Sequence, residues 1–155
     1  MLKVSTLTEF AVNQNSTLRE IIHDKSRPHG IITIQYKDLT FAIPLRSNLR
    51  HSSSVVLDTV VRDGKRLKRG LDFTKALLIK DQEKEIGDPF FIPDTQKEKL
   101  ISSKKMIKNQ FERYVKNYVN AVEFGKDNTL NSNAYKFTTL INYHEELGLN
   151  HLTSD

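Results

Sequence analysis

The feature that most constrains the fold is a pair of short alternating segments between residues 31 and 45. Apolar side chains occupy every second position in both: Ile32, Ile34 and Tyr36 in the first, and Leu39, Phe41, Ile43 and Leu45 in the second. A period of two is typical of strands with one buried face, so the segments predict an antiparallel hairpin that turns at residues 36–39. Because Pro44 has no backbone N–H, we expect pairing to end near it and the chain to leave the sheet there.

The loop that follows Pro44 concentrates cations, hydroxyls and a histidine: Arg46, Ser47, Asn48, Arg50 and His51, and then three serines. Cleavage of RNA without a metal needs cations or hydroxyls on the non-bridging phosphate oxygens, and proton carriers at the attacking and leaving oxygens. The 2′-OH of RNA is itself the nucleophile. Suitable residue types here are Arg46, Ser47, Arg50 and His51, together with Lys75 near the start of a neighbouring strand. The alternative is a basic loop that only stays solvated or grips phosphate.

Before the hairpin, the sequence predicts a strand at residues 2–4 followed by small helices. The segments Thr6-x-x-Glu9 and Thr17-x-x-Glu20 both fit the capping box, in which a hydroxyl and a carboxylate satisfy the first free amides of a helix. The second helix should end before Arg27-Pro28-His29-Gly30, where proline and glycine favour a turn. Arg27 and His29 would then lie just before the first hairpin strand, as a solvated turn or as RNA contacts.

After the serines, the β-branched segment 55–61 predicts a third strand, and Asp63-Gly64 predicts a hairpin turn. Residues 66–80 would return as a buried strand. The whole is therefore an α+β domain built on a compact, twisted antiparallel sheet of about five strands. Residues 81–88 are expected to form a charged loop, and residues 89–93 an apolar connector.

Two helices are expected to pack on this sheet. The longer, at about residues 95–124, would open on the capping box Thr95-x-x-Glu98 and end at Gly125. Its apolar stripe comprises Leu100, Ile107, Phe111, Tyr114, Tyr118 and Val122. A shorter helix at about residues 132–147 would bury Ala134, Phe137, Leu140, Ile141 and His144. Tyr114 and Tyr118 are interpreted as core residues rather than base-stacking platforms, and His144 as structural.

Charge and composition narrow the class of protein. The chain has 155 residues, with 24 Lys+Arg against 19 Asp+Glu and no cysteine, and we interpret residues 1–155 as a single domain. Its cations cluster at Lys65, Arg66, Lys68 and Arg69, and on the long helix at Lys104, Lys105 and Lys108. Such clusters either bind phosphate or form a solvated face. The sequence lacks an apolar run of the roughly 18 residues that span a membrane. A cytoplasmic protein without metal or cofactor is expected.

In the order of these segments the chain resembles the ribonuclease toxins of type III toxin–antitoxin systems, the ToxN, AbiQ, CptN and TenpN group. The second hairpin strand ends in a Phe/Tyr-x-x-Pro-Leu-x-Ser pattern, here residues 41–47, and a serine-rich stretch follows. A Gly-Leu-x-x-x-Lys segment comes next, here residues 70–75, and then a long helix and a shorter one. The resemblance extends through most of the chain.

The resemblance implies a MazF-type core and a metal-independent endoribonuclease that leaves a 2′,3′-cyclic phosphate and a 5′-OH. It further implies cellular or phage mRNA as substrate, and inhibition by a small pseudoknotted RNA antitoxin that the toxin cuts from a repeat array. Toxin and antitoxin RNA would form a hetero-oligomer.

Carried over by residue, the loop serine of the family falls on Ser47, which would bind phosphate or position the 2′-OH. His51 is the candidate acid or base, and Arg46 and Lys75 would stabilise the phosphorane. Arg46 stands where the family often has a hydroxyl. The cation that the family has soon after the serine has no unique match, because Leu49 stands at the closest spacing and Arg50 and His51 follow it. The alternative function is a basic RNA- or DNA-binding module without catalysis, and a third is a domain whose basic face binds an acidic protein.

Overall fold

The computed structural model describes residues 4–8, 10–11 and 30–149, which form an α+β arrangement around an antiparallel sheet. Its strands are β1 (Ser5–Leu7), β2 (Gly30–Tyr36), β3 (Leu39–Arg46), β4 (Ser54–Arg62), β5 (Lys65–Asp72), β6 (Leu77–Ile79) and β7 (Ile86–Pro89). The α-helices are α1 (Gln82–Glu85), α2 (Asp94–Ser102), α3 (Lys104–Glu123) and α4 (Asp127–Leu130). Short 3-10 helices span Phe73–Lys75 and Thr139–Tyr143. None of the helices in these ranges is both long and apolar enough to cross a membrane.

The predicted hairpin is confirmed, and its second strand is the centre of the sheet. The strand order is β4-β5-β3-β2-β1-β7, and β6 also pairs with β3. Tyr36 pairs with Leu39 across a turn in which Lys37 adopts a φ of 54°. β3 therefore pairs with β2 over most of its length, with β6 near its start, and with β5 at its end.

The sequence predicts that the chain leaves the sheet near Pro44, and this prediction is wrong. Pairing with β2 does end where Pro44 lies opposite Ile31, since proline cannot donate to the ladder. The strand then continues for two residues, with Leu45 opposite Leu71 and Arg46 opposite Gly70. Arg46 thus belongs to a strand rather than to a loop.

The described residues form seven strands rather than the expected five. One additional strand arises because the return segment 66–80 is divided. β5 ends at Asp72, the 3-10 turn Phe73–Lys75 follows, and β6 pairs separately with β3. The segment 81–88, predicted as a loop, forms α1 and β7 instead. β7 pairs with β1, so these polar residues find backbone partners at the far edge of the sheet.

A strand lies at Ser5–Leu7, and Val4 before it is not part of the strand; the other residues of the strand predicted at 2–4 lie outside the described residues. Thr6 is a strand residue, and its hydroxyl donates to the carbonyl of Asp88 at 3.1 Å, so the first predicted capping box is wrong. The second capping box, Thr17-x-x-Glu20, and the turn residues Arg27 and His29 lie outside the described residues.

The predicted long helix is divided into α2 and α3 by the buried Ser103. α2 begins after Pro93, and the hydroxyl of Thr95 donates to Asp58 instead of capping the helix, so that capping box is also wrong. The apolar stripe is confirmed: Leu100, Ile107, Phe111, Tyr114 and Tyr118 are buried, and Val122 packs against them. Gly125 follows the helix with a φ of 60°, as expected for a C-terminal stop.

The predicted last helix is wrong. Residues 132–147 form turns around the 3-10 helix Thr139–Tyr143. The hydroxyl of Thr138 accepts from Leu140 N, and that of Thr139 donates to the carbonyl of Ala76. Such side-chain to backbone bonds compete with helix formation. Phe137 and Ile141 are consequently 72% and 66% exposed rather than buried.

The central strands of the sheet are buried on both faces. The main core packs α3 against the alternating residues of the hairpin, and Phe41 meets Phe111 with ring centroids 5.5 Å apart. A smaller cluster on the other face comprises Ile31, Ala42, Leu77 and Ile79. Because the two faces of β3 are both covered, its position is fixed, and so is the position of Arg46 at its end.

Candidate functional site

A pocket of about 420 Å³ opens beside the junction of β3, β5 and the 3-10 turn Phe73–Lys75. It is lined by Arg46, Asn48, Leu49, Arg50, His51, Asp72, Thr74, Lys75, Asn133 and Phe137. The predicted loop and the predicted Lys75 therefore meet in one place. We call this cavity the Asp72 pocket.

Asp72 is the centre of the pocket, and its side chain is only 3% exposed. Its Oδ1 accepts from the backbone N (3.0 Å) and the hydroxyl (2.6 Å) of Thr74 and lies 3.1 Å from Nε2 of His51. Its Oδ2 accepts from Nη1 of Arg46 at 3.4 Å. A buried carboxylate needs such partners because it has lost its hydration. The carboxylate thus holds a guanidinium and an imidazole on its two oxygens.

Local sequence explains why Asp72 sits there. It is the N-cap of the 3-10 turn, since an aspartate accepts readily from an amide two residues later. Gly70 allows β4 to approach β5 closely, because a Cβ at this position would overlap the carbonyl oxygen of Val55. Gly70 also pairs with Arg46, so this close approach lies directly beside the pocket.

The loop that carries His51 is tied to the sheet by backbone bonds. Leu49 is buried and its N donates to the carbonyl of Lys68 at 2.8 Å. The hydroxyl of Ser54 donates to the carbonyl of His51 at 2.9 Å. His51 is held at both sides, and its side chain is 24% exposed. Its Nδ1 is buried and has no hydrogen-bond partner within residues 4–8, 10–11 and 30–149.

Lys75 follows the capped turn and lies on another side of the same pocket. Its Nζ donates to the carbonyl of Phe137 at 3.2 Å, and the residue is half-buried. This bond links the sheet to the segment after α4. Phe137 and Asn133 from that segment complete the wall.

The predicted site residues other than Arg69 fall into three groups. Arg46, Arg50, His51 and Lys75 line the Asp72 pocket, whereas Ser47 is exposed at the end of β3 and does not line it. Lys65, Arg66 and Lys68 are exposed on β5, and Lys104, Lys105 and Lys108 are exposed on α3. Arg27 and His29 lie outside the described residues.

Arg69 differs from the other cations of β5. Its Nε and Nη2 donate to the two carboxylate oxygens of Asp58 at 2.8 and 2.5 Å, and its side chain is only 19% exposed. The hydrogen bond from Arg69 holds the pKa of Asp58 below its usual value, and bonds from Gln96 and Thr95 add to this. Asp58 of β4 therefore connects Arg69 of β5 to α2, while Arg66 and Lys68 face solvent.

Four residues that line the pocket were not predicted from the sequence as site residues: Asp72, Thr74, Asn133 and Phe137. The spacing of Asp72 and Thr74 is that of an aspartate cap and could have indicated a turn at this point. Asn133 and Phe137 had no comparable signal, because the segment around them was interpreted as a helix.

Tyr114 and Tyr118 are core residues, as predicted, and the half-buried His144 lies beside Tyr118. The hydroxyl of Tyr118 lies 2.6 Å from Nε2 of His144. Burial raises the pKa of Tyr118 to about 12 and lowers the pKa of His144. Both groups are therefore kept neutral, and neither lines the Asp72 pocket.

Comparisons of the chain with known protein families, curated proteins and solved structures found no match. Among residues 4–8, 10–11 and 30–149, no three histidine, aspartate or glutamate side chains converge as a candidate metal site. The function is therefore argued from the pocket.

Proposed function

We propose that the protein is a metal-independent endoribonuclease whose active site is the Asp72 pocket. The observation that supports this most is the placement of Arg46 and His51 on one buried carboxylate, beside Lys75. Transfer of a phosphoryl group to the 2′-OH needs a proton carrier and cations near a phosphate, and these three side chains supply both.

The roles follow from the contacts. Arg46 has five N–H donors, and its side chain remains 36% exposed while one donor bonds to Asp72. The remaining donors can bind the non-bridging oxygens of a phosphate. Lys75 contributes a second positive charge as the phosphorane forms. Asp72 orients the imidazole, as the carboxylate does in a catalytic triad.

His51 is the proton carrier in this proposal: it takes the proton of the attacking 2′-OH, and the imidazolium gives a proton to the departing 5′-oxygen. Its ring must turn when RNA binds. In the tautomer with a proton on Nε2, that proton points to Asp72, and the accepting nitrogen Nδ1 is buried. Catalytic hydrogen bonds often align only in the substrate complex. We expect the ring to turn in the RNA complex so that one nitrogen stays on Asp72 and the other reaches the RNA.

We further propose that the protein is a toxin of the type III class with a MazF-like core, and that it acts in the cytoplasm. This rests on the resemblance of residues 41–47 and 70–75 to the toxin group. In support, these two segments pair with each other through Arg46 and Gly70 and supply two walls of one pocket. Such a toxin would cleave cellular or phage mRNA and be inhibited by the pseudoknotted RNA antitoxin that it processes.

The test is incubation of the purified protein with a mixed RNA pool in EDTA, followed by mapping of the product ends. We expect cuts at a short shared sequence with 2′,3′-cyclic phosphate and 5′-OH ends. His51→Ala should lower the rate by about 10²- to 10⁴-fold. Intact RNA after incubation with a folded protein that binds it would refute the proposal.

The second candidate is a nucleic-acid-binding module without catalysis, favoured by the exposed Lys65, Arg66 and Lys68 on β5. In such a module, loss of affinity should follow the number of cations removed, with a matching change in salt dependence. Loss of cleavage in His51→Ala with RNA affinity preserved would exclude this alternative.

A further inference from the structure

Phe137 is an exposed aromatic residue at the rim of the Asp72 pocket. Its side chain is 72% exposed, and it lines the pocket together with Arg46, His51 and Lys75. A phenyl ring gains free energy when a ligand removes it from water. The pocket therefore offers an apolar flat surface next to its charged groups.

The backbone that carries Phe137 is held by its neighbours. Tyr135 and Thr138 on either side are buried, and the hydroxyl of Tyr114 donates to that of Thr138 at 3.0 Å. Lys75 holds the carbonyl of Phe137 itself at 3.2 Å. The ring is thus presented from an ordered segment whose position is coupled to a cation of the pocket.

The charges around the ring indicate what can cover it. Nζ of Lys136 lies 5.1 Å from the centroid of the Phe137 ring, and Arg46, Arg50 and Lys75 line the same pocket. An apolar protein surface on this ring would desolvate these cations without pairing them. A nucleotide instead provides a flat base for the ring and a phosphate for the cations.

We propose that Phe137 stacks on the base of an unpaired RNA nucleotide next to the phosphate bound by the pocket. The proposal rests on the proposed function and identifies its substrate as single-stranded RNA. In a duplex the bases are already stacked on one another, so they cannot reach an aromatic ring at a pocket rim. Asn133 lines the same wall, and its amide, which donates and accepts, contacts the edge of the stacked base.

The experiment measures binding separately from cleavage. The probe is a short, fluorescein-labelled, single-stranded RNA of one arbitrary sequence. It carries 2′-O-methyl groups in place of the 2′-OH, so it cannot be cleaved. Fluorescence anisotropy gives its affinity for the wild type, Phe137→Ala and Phe137→Trp. Ile141→Ala is the matched control, since Ile141 is similarly exposed but does not line the pocket. The annealed duplex of the same RNA is a second probe.

We expect Phe137→Ala to bind the single strand about ten-fold more weakly, the effect of losing one base–aromatic stack. Phe137→Trp and Ile141→Ala should bind like the wild type, and the duplex should show little dependence on Phe137. Thermal unfolding should be unchanged in Phe137→Ala because the side chain is exposed.

Equal affinity of Phe137→Ala and the wild type would overturn the inference. So would an equal loss of RNA affinity in Ile141→Ala, because the effect would then not depend on the pocket, or failure of the wild type to bind the probe. Phe137-dependent binding of the probe without cleavage of unmodified RNA would leave the base-stacking site established and refute the endoribonuclease instead.

Discussion

Nε2 of His51 lies 3.1 Å from Oδ1 of Asp72, a carboxylate that is almost fully buried. The same carboxylate binds Arg46, so a single side chain of β5 orients both a proton carrier and a cation. It also caps the turn that leads to Lys75. Asp72 is thus the residue on which the geometry of the pocket depends.

Asp72→Asn tests this dependence. The amide keeps the size of the side chain but has no charge to hold the Arg46 guanidinium and the His51 imidazole in place. We expect cleavage of RNA to fall roughly 100-fold, with the protein still folded, as measured by initial rates in EDTA and by circular dichroism. Ser47→Ala is the comparison, because Ser47 is exposed outside the pocket, and its loss should be smaller. A larger loss in Ser47→Ala would move the active site away from Asp72.

Gly70→Ala should destabilise the fold and the site together. The added Cβ would overlap the carbonyl oxygen of Val55 in a part of the sheet where backbone must move to make room. We expect a cost of about 3 kcal/mol in the free energy of unfolding by urea. Gly64→Ala is the control: it has open space and a φ of 74°, so backbone strain alone should cost about 1 kcal/mol. Equal costs in the two variants would contradict this interpretation of Gly70.

Arg69→Ala and Arg66→Ala should differ although the residues are close in sequence. Arg69 is paired with Asp58 in a largely buried position, so its loss should lower the free energy of unfolding by about 2 kcal/mol. Arg66 is exposed, so its loss should leave stability unchanged within about 0.5 kcal/mol. The logarithm of the RNA affinity falls linearly with the logarithm of the salt concentration, and Arg66→Ala should make this slope less negative by about 0.7. Destabilisation by Arg66→Ala would refute this division.

The pH dependence of stability should reflect His144. Burial lowers the pKa of His144 in the folded protein, whereas in the unfolded chain this pKa has its ordinary value of about 6.5. Below that pH the unfolded chain therefore binds a proton more readily than the folded protein does. Stability is therefore fully present above that pH and is lost as the pH falls through the folded pKa. Urea unfolding at pH values on both sides should show this loss in the wild type and a smaller one in His144→Gln. Equal losses in both proteins would assign the effect to other groups.

Parts of this protein could be predicted from the sequence because the signal was local. The alternation of Ile32, Ile34 and Tyr36 placed the first hairpin strand, and the stripe from Leu100 to Tyr118 identified the buried face of the long helix. Asp63-Gly64 marked the turn between β4 and β5, where both residues adopt positive φ angles. In each case the period or turn chemistry that forms the element lies within a few residues.

The errors came from long-range competition for hydrogen bonds. Thr6, Thr95 and Thr139 have the residue type of a helix cap or helix residue, but their hydroxyls bond to Asp88, Asp58 and Ala76. A partner tens of residues away leaves no trace in a local pattern, so the capping boxes at Thr6 and Thr95 and the last helix were predicted incorrectly. The same limitation hid Phe137 and its exposure.

For the site, the sequence by itself determined the chemical groups: the cations and histidine between Arg46 and His51, and Lys75. Only the tertiary structure decided which of them meet, bringing the loop against Asp72 and leaving Ser47 outside the pocket. The physical reason is that β3 changes partners at Pro44, which lacks the N–H that would extend its pairing with β2. Arg46 then pairs with Gly70, and the buried carboxylate two residues further on, at Asp72, finds its partners in Arg46, in Thr74 of its own turn and in His51 of the loop.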